Sequence, residues 1–123
     1  MPYLDPQDAN NEISTMIAAI KARRGPPPWR EPLVATPAFR QLLLYWTPGE
    51  QLTPHWHPRA SESFLVLEGS GTFKIGDAPP VEVQPGNCLL ALPGVPHEIA
   101  VSAAEPLLVL ATVAPNEPDD TYE

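Results

Sequence analysis

Residues 49–69 read G-E-Q-L-T-P-H-W-H-P-R-A-S-E-S-F-L-V-L-E-G, and this stretch decides the fold. It holds His55 and His57 one residue apart, with Glu62 five positions beyond the second. The third and last histidine, His97, closes another turn-rich segment, L-P-G-V-P-H. On an extended strand, residues i and i+2 point to the same face, so His55 and His57 aim together while Trp56 points away. The P-R-A-S turn that follows can bring the next strand alongside and set the Glu62 carboxylate beside the two rings. Phe64 and Val66 share the parity of Glu62 and should line the same interior. His97 follows a stiff P-G-V-P turn that can hold a neighbouring strand at fixed depth.

A single histidine near a strand end is more often a packed or solvated side chain than a ligand. Three of them beside Glu62, with no histidine left over, point instead to one metal ion held by His55, His57, Glu62 and His97. Imidazoles and a carboxylate suit a divalent first-row ion of intermediate softness. Four protein ligands on an octahedral ion leave two positions for water, dioxygen or a chelating substrate, which marks a working site rather than a closed structural one.

Working outward, the rest of the chain fits a small β protein. It has 123 residues, enough for one domain, with 18 prolines and 7 glycines. Proline cannot donate to a ladder or sit inside a helix, so this punctuation predicts many short strands joined by turns. Seven basic against fifteen acidic side chains give a formal net charge of -8, which disfavours nucleic acid and anionic membrane surfaces as partners. One cysteine, Cys88, excludes an internal disulfide and is compatible with a reducing compartment. The N-terminal residues lack a basic and apolar leader, and no apolar run approaches a bilayer's width, so the expectation is a cytoplasmic protein.

Asp5 to Lys21 is the one helix the pattern predicts. Asp5 can cap it, Pro6 fits the first turn, and Ile13, Met16, Ile17 and Ile20 form one apolar stripe. Lys21, Arg23 and Arg24 suit its C-terminal end, and Gly25 with three prolines stops it. Short strands follow: Leu33–Thr36, Phe39–Thr47, Leu52–His57, Ser61–Leu67, Gly71–Ile75, Val81–Gln84, Cys88–Leu92, His97–Ser102 and Leu107–Val113. That pattern predicts an N-terminal helix and proline-rich linker over 1–30, a β-barrel over 31–114 and a flexible acidic tail over 115–123. Several strands are apolar on both faces, so the second face needs the helix or a partner chain, and a homodimer is expected.

The same residues carry a family resemblance. Gly49, His55, His57, Glu62 and Gly69 fall on the spacing G-x5-H-x-H-x4-E-x6-G, which resembles the first motif of the cupin superfamily. Gly86, Gly94 and His97 match the second motif, G-x5-P-x-G-x2-H. Leu92 stands where that pattern has its first proline, and Val101 stands where an asparagine is often found. These departures touch the scaffold of the second motif and not the ligands. The chain is thus similar to small single-domain, RmlC-like microbial cupins. The resemblance implies an all-β, antiparallel double-stranded jelly-roll barrel, often dimeric, with the metal inside at His55, His57, Glu62 and His97. The ion it implies is iron, manganese, nickel, zinc, cobalt or copper. Family activities include dioxygenases, isomerases, decarboxylases and oxalate-type oxidases. The expected function is a metal-dependent enzyme, dioxygenase-like or isomerase-like, acting on a small oxygen-bearing molecule. A non-catalytic cupin that binds or senses a small molecule or metal is the alternative.

Other side chains have competing readings. Cys88 reads as buried filler before the second motif rather than a thiol near the metal. Tyr45, Trp46 and Phe73 can line a pocket or pack a core. Arg40 or Gln41 can orient an acidic substrate or face solvent. Arg59 is expected in solvent, and Glu98 on the face opposite His97.

Overall fold

The computed structural model describes residues 16–116 and the backbone of 121–122. Most of the predicted helix, before residue 16, lies outside the described residues. Residues 16–24 are helical (α1), and Gly25 ends the helix as expected, at φ 78° with its N–H donated to the Lys21 carbonyl at 2.8 Å.

Ten strands follow. They are β1 (Trp29–Ala35), β2 (Arg40–Trp46), β3 (Gln51–Trp56), β4 (Ser61–Glu68), β5 (Gly71–Ile75), β6 (Val81–Val83), β7 (Cys88–Ala91), β8 (His97–Val101), β9 (Leu107–Ala114) and β10 (Thr121–Tyr122). They form two five-stranded antiparallel sheets, β1-β2-β9-β4-β7 and β10-β3-β8-β5-β6. The jelly-roll class therefore holds, but the expected closed barrel does not. Among the described residues the sheets share no strand and no ladder joins them. Their edges are short or interrupted: β6 has three residues, β7 four, and β1 carries Pro32 beside a register shift. Such edges do not propagate pairing around a corner.

All nine predicted strands are present. β1 starts earlier than its pattern predicts because an edge strand tolerates Pro32, and Trp29 pairs in register with Tyr45. Within the expected flexible tail, Thr121 and Tyr122 pair with Trp56 and His55 on the open edge of β3.

The core lies between the sheets. Leu42, Phe64 and Val66 from one sheet meet Phe73, Val83 and Ile99 from the other, all at most 5% exposed. Burying each such side chain stabilises the fold by about 1.5–3 kcal/mol. In β4 the alternation is clean: Glu62, Phe64 and Val66 point in and are buried, and their neighbours are half-buried. The two-faced strands β2 and β9 are explained by α1, since Ile20 packs on Leu43 and Leu108 on the outer side of that sheet. The basic helix end is held there by ion pairs. Lys21 Nζ lies 2.7 Å from Glu68 Oε1, which raises the ammonium pKa, while Arg23 and Arg24 pair with Glu31 and lower its carboxyl pKa. Beyond the helix, Leu90 and Leu92 are 55% and 57% exposed on and just after β7. Among the described residues no helix is long and apolar enough to cross a membrane.

Candidate metal centre

The two sheets meet at one end around three histidines and a glutamate. The β3–β8 sheet brings all three imidazoles. His55 lies near the end of β3, His57 one residue beyond its last residue, and His97 opens β8. A register shift between Leu52 and His55 absorbs Pro54 and sets His55 directly across from His97. The Gly94 N–H donates to the His57 carbonyl at 2.8 Å, and the Gly76 N–H to the Pro96 carbonyl at 2.8 Å. The P-G-V-P turn is thereby tied to both flanks, so His97 enters its strand at a fixed depth. Glu62 arrives from the opposite sheet, on the inward row of β4.

The donor atoms converge. His57 Nε2 lies 2.8 Å from Glu62 Oε1, His97 Nε2 3.1 Å and His55 Nε2 3.8 Å from the same oxygen. His97 Nε2 and His55 Nε2 are 2.9 Å apart, and all four donors lie within 4.8 Å of one another. An ion about 2.1 Å from each ligand needs neighbouring donors about 3–3.5 Å apart. The separations of 2.8, 2.9 and 3.1 Å lie close to that shell, and the wider ones need the rings to draw in by about 1 Å around an ion. His57, Glu62 and His97 are buried at 4%, 5% and 1% exposure, while the His55 side chain keeps 20% and is the ring solvent reaches. His97 Nδ1 is buried without a hydrogen bond among the described residues, and the Phe64 ring packs 5.1 Å from the imidazole. Nε2 faces the cluster, and ligation through that nitrogen would require the ring proton on Nδ1. Burial works against the Glu62 carboxylate, but His55, His57 and His97 outweigh it and hold that carboxyl well below the usual range. An ionised carboxylate among imidazole nitrogens is the donor set of a first-row divalent ion.

A cavity of about 450 Å³ opens beside the cluster, reached past His55 and lined by His57, Glu62, Phe64 and Leu52. The side chains left open by sequence now have places. Trp46 packs on the inner core and lines the cavity. Tyr45 touches the cavity edge, but its ring lies on the outer face, 5.1 Å from Trp29 and under Lys21 Nζ. Phe73 is wholly buried against Phe64. Arg40 lines the cavity, whereas Gln41 points outward and donates to Thr112 Oγ1 at 3.2 Å. Arg59 is exposed, and Glu98 stands apart from the cluster. Cys88 is a correction. It is exposed, not buried filler, because it opens β7 on the outward row opposite Leu65, and it does not line the cavity. Arg30 went unremarked in the sequence because it sits among prolines that read as linker. The pairing of β1 with β2 brings it to the cavity mouth.

The family model described as "Cupin domain" matches residues 42–113. None of the curated proteins compared with the chain matches it significantly. Among solved structures, a conserved protein with a double-stranded β-helix domain from Klebsiella pneumoniae is similar at TM-score 0.70 and 24% identity, covering 80% of this chain and 86% of that one. KdgF from a Halomonas species follows at TM-score 0.66 and 22% identity, covering 72% and 80%. The DMSP lyase DddQ from Ruegeria pomeroyi aligns at TM-score 0.70 and 22% identity, covering 76% of this chain but half of its own. At these identities the likeness is one of fold.

Proposed function

The chain belongs to the cupin domain family, and from that premise we propose that it is a metal-dependent enzyme of small-molecule chemistry. His55, His57, Glu62 and His97 are the metal ligands in this reading. The observation that carries it is the convergence of four donors, three of them buried, at the floor of a cavity open to solvent. A closed structural site would bury its fourth ligand as well. Here His55 faces the opening, so a small oxygen-bearing molecule can approach the same point the donors share. A bound divalent ion supplies Lewis acidity or, if redox-active, oxygen activation.

The chain's own contribution follows from the geometry. Glu62, held ionised, neutralises part of the ion's charge. The histidines from one sheet and Glu62 from the other would fix its position, and Phe64, Leu52 and Trp46 exclude water from one side of the cavity. The dioxygenase-like and isomerase-like readings both use this arrangement. Purified protein is expected to carry close to one divalent ion per chain, and His57→Ala to lose most of it. Equal metal content in variant and parent, by elemental analysis, would sink the ligand assignment. Iron-loaded protein that consumes dioxygen with a substrate would decide for the dioxygenase-like reading. A homodimer is part of the proposal, since Leu90 and Leu92 leave an apolar edge at β7. A monomer in sedimentation at micromolar concentration would remove it.

A further inference from the structure

We propose that the substrate carries an apolar body behind its metal-binding oxygens, and that a slot walled by Leu42, Leu44, Trp46 and Leu52 selects for that body. The inference rests on the metal-centre reading and adds to it the chemical class of the ligand. The cavity of about 450 Å³ is not confined to the donors: it runs from His55, His57 and Glu62 to Trp46. That volume is in the range of small-molecule sites. At about 30 Å³ per water, it holds far more than the few atoms that touch a metal ion.

The register gives the slot its direction. Arg40 pairs with Val113 and Val113 with Glu62, so the start of β2 lies level with that metal ligand. Leu42, Leu44 and Trp46 follow at every second residue and pair with Ala111, Val109 and Leu107. Their side chains pack on the inner core, whereas Leu43 between them packs outward on Ile20. Six residues along β2 separate Arg40 from Trp46, about 20 Å of strand. Leu52, three residues before His55 on β3, packs on the same core and supplies the opposite wall. The slot thus leads away from the donors between the two sheets.

This wall has almost nothing to offer a polar group. Leu42, Leu44, Leu52 and Phe64 carry no hydrogen-bonding atom in their side chains, and Trp46 adds one indole N–H. Each hydroxyl buried against them without a partner would weaken binding about 5- to 150-fold. An aryl or alkyl group gains instead by leaving water. The polar lining residues outside the metal cluster are placed elsewhere. Arg30 and Thr53 are exposed at the rim, Arg40 donates its Nη1 to Asn116 Oδ1 at 3.1 Å, and the Tyr45 ring lies on the outer face. The ligand class is therefore an oxygen chelate on an aryl or alkyl skeleton, not a sugar or a polycarboxylate.

The test uses the full chain loaded with Ni(II), with metal content measured on every sample and binding read by calorimetry. Acetohydroxamate and benzohydroxamate share one chelating head and differ by a methyl against a phenyl group. Benzohydroxamate is expected to bind about 10- to 100-fold more tightly, the worth of burying about 60–100 Å² of ring. Its heat-capacity change should also be the more negative, as apolar burial requires. Leu44→Asn puts an amide into the wall, and Leu44→Trp fills the slot. Each should bring the two ligands to within about threefold of one another while metal content and acetohydroxamate affinity stay at the parent level. Gln41→Ala, on the outer face of the same strand, should keep the preference. Equal affinities in the parent, which need no variant to fold, overturn the inference, as does binding of neither ligand. A preference that survives both Leu44 variants overturns it too. If the parent holds no metal, the metal reading fails by itself. Benzyl alcohol and glycerol titrated into the metal-free protein, followed by NMR, then decide the slot. Benzyl alcohol bound more tightly than glycerol, and weakened by Leu44→Asn, supports it, and any other result overturns it.

Discussion

Gly69→Ala tests whether the tight exit from β4 depends on close backbone contact. Gly69 sits at φ 88°, and a Cβ there would meet the Pro106 carbonyl oxygen at 2.0 Å and Leu107 Cα at 3.0 Å. The left-handed conformation alone costs a residue with a Cβ about 1–2 kcal/mol. The clash adds more, because both obstacles are backbone and no side chain can swing aside. Relief requires the exit of β4 and the start of β9 to part by about 1 Å, well past optimal contact. One or two hydrogen bonds are then lost at about 1 kcal/mol each, giving a total of about 2–4 kcal/mol. Gly86→Ala is the control, since Gly86 has φ 95° and nothing within 4 Å of a built Cβ, so only the conformational cost applies. Urea unfolding of the metal-free proteins should show Gly69→Ala losing about 1–2 kcal/mol more than Gly86→Ala at equal slope. Equal losses would refute the close-approach argument.

Three further outcomes are expected. In metal-free protein, the depressed Glu62 pKa contributes stability above the ordinary carboxyl pKa of about 4.3, and that contribution is lost as pH falls toward the folded value. The gap in melting temperature between parent and Glu62→Gln should therefore narrow from about pH 6 to about pH 3, and a gap that widens refutes the assignment. Ile20→Ala should cost about 2–4 kcal/mol, because Ile20 seals α1 onto Leu43 and Leu108. An unfolding midpoint within error of the parent would show that the helix does not cover that face. Cys88 should react fully with a thiol reagent in native protein diluted until it is monomeric, and Cys88→Ser should keep the parent's metal content. Protection of the thiol would contradict its outward placement.

Much of the candidate site was legible because strand parity is a local property. The i, i+2 spacing of His55 and His57 fixes their common face without knowledge of their neighbours. The turn residues marked nine strands, since proline and glycine act on the backbone where they stand. Whether a two-faced apolar strand meets a helix or another chain depends on packing across the molecule, and for Leu43 and Leu108 the answer was Ile20. Cys88 was misread for the same reason. Its apolar neighbours describe its strand, but the outward row of an edge strand faces water.

The amino-acid sequence by itself determined the all-β class, the helix stop at Gly25 and which four side chains could form the candidate centre. These follow from backbone chemistry and short-range periodicity. Tertiary structure alone decided that the imidazoles come from one sheet and the carboxylate from the other. It also left the sheets unclosed, and it laid Arg40, Val113 and Glu62 on one rung. Those relations join residues as far apart as Arg40 and Val113, and pairing over such distances is set by the burial of whole faces rather than by any local pattern.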